Sequence, residues 1–512
     1  MPATPDTSPR PQVLPRAVRR ALDAMRADVG HDWSVRDLAT AAGVSTRSLQ
    51  RQFRIFLGKA PHTALRDARF ESARRELLRG APDTKVMEVA LRSGLPHCGR
   101  FATEYRSRYG ETPSQTLRRQ VLFHDTLAAM PPIFVASRDR PTMALERIEA
   151  SPEHEGIARG IADELATALT RAGVSVTADP RATRYRLVGA FAGTEREWRL
   201  TLRLLESETG RHLWAHRAQE SRAAGGAFGD QFATRIAAAL HPHLRLAEIE
   251  RARGRPDGDL SAHDLALQAM PHVLSLDAEG NARAIDLLDR AMERDPDNAL
   301  AASLAAWAHA QRVIYHFSSM QLEERTRGAD LARRALALSG DATALAILGN
   351  ALTSLRDVET AETVIGKALA VDGGSAWAWG RSGWIDVYND EPDSAIERFK
   401  IALELAPHDA LAFNSLAGIG LAHFVAGRYL EAAQWQEHAL RAHPSSAWVH
   451  RTMCPAYVLA GANEDAQRSL AALRQNYPDL TAHAVQQGLP PLPPASFELV
   501  VEGLRAAGLP SA

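Results

Sequence analysis

Residues 34–54 read Ser-Val-Arg-Asp-Leu-Ala-Thr-Ala-Ala-Gly-Val-Ser-Thr-Arg-Ser-Leu-Gln-Arg-Gln-Phe-Arg, and the fold of the N-terminal region turns on this stretch. Ser34 is a good N-cap with Asp37 three residues on, a capping-box start, and the small Ala39 lets a second helix pack close. Gly43 permits the positive φ that a sharp turn between helices needs, and Ser45 caps the second helix. The segment is expected to fold as helix, tight turn, helix.

Working outward, the pattern occurs twice. Asp37-Leu38-Ala39 with Gly43-Val44 matches Glu88-Val89-Ala90 with Gly94-Leu95 at an offset of 51. Leu49, Phe53, Gly58, Pro61 and Leu65-Arg66 match Phe101, Tyr105, Gly110, Pro113 and Leu117-Arg118 at an offset of 52. Between the copies, Leu65, Phe70, Ala73, Leu77 and Leu78 predict one continuous connecting helix.

On the second helix of the first copy, Leu49 and Phe53 share one face, while Arg47, Gln50, Arg51 and Arg54 share another. Arg donates two hydrogen bonds to guanine and Gln pairs with adenine, so this face suits a DNA major groove. For a lone helix a solvated, Arg-rich face is the plainer reading; duplication with matching turn glycines favours DNA. In the second copy Phe101, Tyr105 and Tyr109 supply the packed stripe and leave His97, Arg100, Thr103 and Arg106 on the open side, a less obvious base-reading face. His97 and Cys98 lack partners at metal-ligand spacing. A stiff connector would set the distance between the two recognition helices, and about 34 Å would admit both to successive major grooves.

Charge agrees with this division. The chain of 512 residues has a net charge of −1, yet residues 1–125 carry 22 Lys and Arg against 13 Asp and Glu, and the remainder 38 against 48. A basic N-terminal segment is the electrostatic footprint of a part that meets phosphate. No apolar run approaches the ~18 residues that cross a bilayer, so no membrane partner is expected. The two cysteines, Cys98 and Cys454, are too few and too far apart for a disulfide framework, which fits a cytoplasmic protein. Residues 1–15 are expected to be a disordered tail without a secretory signal.

Residues 16–122 resemble the DNA-binding domain of the AraC/XylS family of transcription regulators. Ser34–Gly58 and Gly94–Pro113, with Phe101-x3-Tyr105-x3-Tyr109-Gly110-x2-Pro113, carry the resemblance. It implies base reading by Arg47, Gln50 and Arg51, with His97, Arg100 and Thr103 at the corresponding places of the second unit. Thr103 stands where the family usually has Arg, and Pro96, Cys98 and Gly99 are also departures; whether the second unit reads bases or holds phosphate stays open. The full DNA-binding set is Ser45, Thr46, Arg47, Gln50, Arg51, Arg54, His97, Arg100, Thr103 and Arg106.

In residues 130–255 an apolar stretch at Ile133–Ala136 predicts a strand, Glu155 to Ala172 a helix, and Phe232 to Leu246 another. Trp198, Leu200, Leu202 and Leu204 alternate with polar residues as a half-buried strand requires, and Glu208-Thr209-Gly210 marks a turn before His212 to His216. The region resembles the TolB-amino-terminal-like domain, a small α/β unit. His212, His216, His241 and His243 are read as ordinary surface histidines rather than a metal set.

Over residues 260–485, Ala335-Leu336, Ala368-Leu369, Ala402-Leu403 and Ala439-Leu440 recur at spacings of 33, 34 and 37. A period near 34 identifies tetratricopeptide repeats, with Gly383, Ala395 and Pro407 in the clearest copy and a looser one at Asp289 to Gln311. Trp377, Trp379, Trp384, Trp435 and Trp448 are read as core rather than as a ligand box. The resemblance implies a concave groove for a protein or peptide. Residues 486–512 form a Pro-rich segment and, from Ser496 to Ala507, a capping helix.

The expected fold class is mostly α: an all-α double helix-turn-helix domain, a small α/β middle domain and a C-terminal α-solenoid. The expected function is sequence-specific regulation of transcription on double-stranded DNA, with RNA polymerase and a second copy of the chain as further candidate partners. The alternative is an interaction scaffold with a degenerate DNA-binding domain. No Walker-type, G-x-S-x-G, HExxH or CxxC motif is present, so neither an enzyme nor a cofactor is expected.

Overall fold

The computed structural model describes residues 15–57, 59–78, 84–109, 112–117, 140–194, 197–221, 230–338 and 340–511. The chain divides into two compact units, residues 1–126 and 127–512. The tail expected before Pro15, the strand expected at Ile133–Ala136, and Gly58 and Gly110 of the duplicated pattern lie outside the described residues.

The first unit contains α1 (Arg16–Ala27), α2 (Val35–Ala42), α3 (Thr46–Leu57), α4 (Pro61–Leu78), α5 (Val86–Arg92) and α6 (Cys98–Tyr109). The capping box of α2 is complete: Ser34 Oγ accepts from the Asp37 N–H, and the Asp37 carboxylate accepts from the Ser34 N–H, both at 3.1 Å. Gly43 ends α2 in the left-handed region at φ 72°, and Gly94 takes φ 68° at the equivalent place after α5. Helix α4 begins one turn earlier than Leu65, with Pro61 at its first position where no N–H is needed. It serves two cores. Its Ala64 and Leu65 pack with Leu38, Leu49 and Phe53, whereas its Phe70, Ala73 and Leu77 pack with Val89, Phe101 and Tyr105.

The second unit opens with a five-stranded sheet in the order β2-β1-β3-β4-β5. These are β1 (Thr142–Leu145), β2 (Ser175–Thr177), β3 (Tyr185–Gly193), β4 (Glu197–Glu206) and β5 (His212–Ser221). Strand β1 runs parallel to both neighbours, while β3, β4 and β5 form an antiparallel meander. Leu200, Leu202 and Leu204 of β4 are at most 1% exposed. They share a core with Ile161 and Leu165 of α7 (Glu155–Arg171) and with Ile236 and Leu240 of α8 (Asp230–Arg253). Of the four histidines read as surface groups, His212 is exposed and His216, His241 and His243 are half-buried. His216 stacks on Trp214 at 5.4 Å, and His243 lies 6.3 Å from the same indole, because β5 and α8 bring the rings together.

Beyond α8 the chain is a solenoid of helix pairs. Its pairs are α9 (Ala262–Leu274) with α10 (Ala278–Arg294), α11 (Ala299–Ile314) with α12 (Gln321–Ala337), and α13 (Ala342–Ser354) with α14 (Val358–Val371). They continue as α15 (Ala376–Tyr388) with α16 (Pro392–Leu405), α17 (Ala412–Val425) with α18 (Tyr429–Ala442), and α19 (His450–Leu459) with α20 (Asn463–Asn476). After the first helix of each pair, one residue turns the chain in the left-handed region: Leu276, His316, Arg356, Asp390, Gly427 and Gly461. Their spacings are 40, 40, 34, 37 and 34, so the first two intervals are longer than the rest, which is why the early copies look loose in sequence. Gly383 faces Phe399, whose ring would lie 2.9 Å from an added Cβ, a close approach that only glycine permits.

The solenoid winds far enough to meet itself. Leu276, Ile314 and Tyr315 from its first two pairs cluster with Phe413, and Arg451 Nη1 donates to the Ile314 carbonyl at 2.6 Å across 137 residues of sequence. The concave side is crossed by the chain's own segment after α21 (Ala482–Gly488), where Leu489 and Leu492 are 3% and 7% exposed. Arg356 holds this strap by donating to the Leu489 carbonyl at 3.0 Å. Helix α22 (Pro494–Ala507) then packs on α19 and α20 as the cap. No helix among the described residues is long and apolar enough to cross a membrane.

Candidate DNA interface

Helix α3 presents the clearer half of the site. Ser45 accepts from the Ser48 N–H at 3.2 Å and so caps the helix that Thr46 begins. Leu49 and Phe53 are fully buried and anchor the helix against α1, α2 and α4. Their burial turns Thr46, Arg47, Gln50, Arg51 and Arg54 outward, and all five are exposed. Among the described residues none of Arg47, Gln50, Arg51 and Arg54 makes an ion pair or a side-chain hydrogen bond. Three guanidinium groups and one carboxamide therefore stand free on one strip of helix.

Helix α6 is more committed to its own fold. His97 lies just before it, with its carbonyl accepting from the Phe101 N–H at 2.8 Å, and His97, Arg100, Thr103 and Arg106 are exposed. Thr103 Oγ, however, donates to the Gly99 carbonyl at 3.0 Å and is occupied within the helix. Phe101 and Tyr105 are buried as expected; the side chain of Tyr109 is outside the described set.

Sequence patterns did not reveal what holds the two helices. Arg69 of α4 donates to the carbonyls of Val29 at 3.1 Å and His31 at 2.7 Å, tying α4 to the loop before α2. On the other side Asp67 pairs with Lys59 and with Arg108 of α6, each at 2.7 Å, and Arg108 also reaches Glu104 at 2.9 Å. Burial alone would raise the Asp67 pKa, but Lys59 and Arg108 outweigh it and hold the carboxyl below its usual value. A single helix of 18 residues, about 27 Å long at 1.5 Å per residue, thus fixes both α3 and α6 through packing and polar contacts.

Residues 38–119 match a family model described as a helix-turn-helix domain. Over 111 residues the chain is 42% identical to a probable thc operon regulatory protein of Rhodococcus erythropolis, covering 22% of this chain and 33% of that protein. Residues 38–119 of the N-terminal unit form a helix-turn-helix domain. The chain spans about a third of the length of the first curated relatives it matches. A solved AraC-type transcriptional regulator from Chromobacterium violaceum is 27% identical, covers 20% of this chain and 90% of its own, and superposes with a TM-score of 0.19. A putative adenylate cyclase 3 of Rhizobium meliloti is 25% identical over 232 residues, 42% of this chain and 40% of that protein.

Proposed function

We propose that the chain is a cytoplasmic, non-enzymatic transcription regulator that binds specific DNA sites through two helix-turn-helix units set in adjacent major grooves. In this reading residues 16–122 form the DNA-binding domain, residues 130–255 and 260–485 form the middle and repeat domains, and residues 486–512 cap them. The observation that carries it is the strip of unpaired Arg47, Gln50, Arg51 and Arg54 above the buried Leu49 and Phe53, in a basic AraC-type domain. Arg47, Gln50 and Arg51 read bases, Arg54 neutralises phosphate, and Ser45 and Thr46 approach the backbone at the helix N-terminus.

The second unit, with His97, Arg100, Thr103 and Arg106, contributes mainly phosphate contacts, because the Thr103 hydroxyl is already spent on Gly99. The repeat array carries the interactions with protein partners; RNA polymerase and a second copy of the chain are the candidates.

The test is binding to operator and competitor DNA at several salt concentrations. Arg47→Ala with Arg51→Ala should abolish the preference for operator, whereas Arg106→Ala should weaken all sequences alike and lower the salt slope by about one. Unchanged operator preference in the double variant would refute the assignment.

A further inference from the structure

Where the solenoid closes on itself it encloses a cavity of about 60 Å³, roofed by Leu489, Pro490 and Leu492 of the strap. That is room for roughly five waters. Trp307, Trp384, Trp448, Tyr315 and Tyr388 line it together with Arg381 and Arg451, and no Asp or Glu lines it.

Neither arginine has a carboxylate partner among the described residues. Several other sheltered guanidinium groups in the second unit do have one: Arg245 pairs with Asp409, Arg398 with Asp386 at 2.7 Å, and Arg312 with Glu324 at 2.8 Å. Arg451, 5% exposed, is held by the carbonyls of Ile314 and Trp448 instead. Arg381 Nη1 donates to Thr353 Oγ at 3.1 Å, its guanidinium also hydrogen-bonds the Tyr388 hydroxyl, and its Nε is buried with no partner. Among the described residues no carboxylate pairs with either. Burial pulls the pKa of both below the ordinary value. A sheltered positive charge without an anion is costly, and here two of them face one cavity.

Neighbouring polar atoms are unsatisfied too. The Trp448 indole N–H and the Asn350 side-chain oxygen are both buried without a partner, and Asn350 is 4% exposed. Such orphans are rare in folded proteins and call for an explanation. Donors from Arg381 and Trp448, an acceptor from Asn350 and apolar walls together describe a recognition site rather than a packing defect.

We propose that this cavity binds a compact organic carboxylate, whose anionic group meets the Arg381 and Arg451 guanidinium groups and whose apolar body lies between the Trp384 and Trp448 indoles. The ligand completes the ion pairs that the protein leaves open, and the strap covers it. The inference concerns the second unit alone and stands whether or not the first unit reads DNA.

The test uses the full chain, titrated with butyrate, cyclohexanecarboxylate and benzoate, with the amide of each acid, and with inorganic phosphate, followed by calorimetry and tryptophan fluorescence. At least one acid should bind saturably, with its amide at least tenfold weaker. Arg381→Gln should reduce that affinity at least tenfold with the circular dichroism unchanged. Should that variant not fold, Asn350→Asp offers the guanidinium groups an internal partner and should abolish acid binding in a folded protein. The proposal is overturned if no acid saturates, if acids and amides bind alike, if phosphate binds more tightly than every acid, or if affinity survives in a folded variant.

Discussion

Arg245 and Asp409, 164 residues apart in sequence, form an ion pair that joins the α/β part of the second unit to the repeat array, with side chains only 10% and 5% exposed. The pair is braced on both sides. The Arg245 guanidinium lies 4.1 Å from the centre of the Trp377 ring, and the Trp377 indole N–H donates to the other Asp409 oxygen at 2.6 Å. Burial would raise the Asp409 pKa, but Arg245, the Leu411 N–H and Trp377 outweigh it and hold it below the usual carboxylate value.

Removing one partner should therefore cost far more than removing a surface charge. Asp409→Ala leaves a desolvated guanidinium and an unsatisfied indole, for an expected loss of about 3–5 kcal/mol. Arg245→Met combined with Asp409→Leu should lose less than the sum of the single changes, because neither charge is then stranded. Denaturant midpoints of the wild type, Arg245→Met, Asp409→Leu and the double variant check this; additive losses would show that the pair is not a unit.

Acid should loosen the same junction from another group. Burial, helped by Arg245 on its own helix, lowers the His241 pKa to about 4 against the opposing pull of Asp341 and Asp409. A histidine depressed in the folded state stabilises fully above its unfolded value near 6.5 and loses that contribution as pH falls from 6.5 towards 4. Stability should fall by up to about 1.4 kcal/mol for each unit of pH within that window on account of this one group. His241→Gln should flatten the pH dependence of the unfolding midpoint between pH 6.5 and 4; an unchanged slope would assign the effect elsewhere.

The two turn glycines of the first unit should differ in tolerance. Both take a positive φ, 72° at Gly43 and 68° at Gly94, where an L side chain costs about 1–2 kcal/mol. An added Cβ at Gly43 would meet its nearest neighbour, Arg20, at 3.5 Å, but at Gly94 it would lie 2.8 Å from Arg69 Nε. Gly43→Ala should cost the strain alone, and Gly94→Ala should cost more, because Arg69 must leave the Val29 and His31 carbonyls. Thermal unfolding of the isolated substitutions orders them; equal losses would contradict the anchoring role of Arg69.

Legibility varied with the range of the forces involved. The capping box at Ser34, the turn at Gly43 and the buried spacing of Leu49 and Phe53 were readable because each depends on residues within a few positions, and the exposed strip came with them. The α4 buttress was not readable: Asp67 and Arg108 carry no periodic signal and meet only because α4 and α6 cross. Of the six left-handed turn positions in the array, four are occupied by Leu, His, Arg and Asp rather than glycine, so the early repeats lacked their usual punctuation. Trp384 and Trp448, read as core, also line the cavity.

Chain composition and local pattern alone determined that this protein has a helix-turn-helix pair displaying free cations, an alternating sheet and an array of helix pairs, since capping, turn geometry and amphipathic spacing are short-range. Only the tertiary structure decided that the array closes on itself, that its own strap crosses the concave side, and that Arg381 and Arg451 end beside one cavity without an acid. Closure is the accumulated result of small rotations between successive pairs, and no single stretch of sequence records that sum.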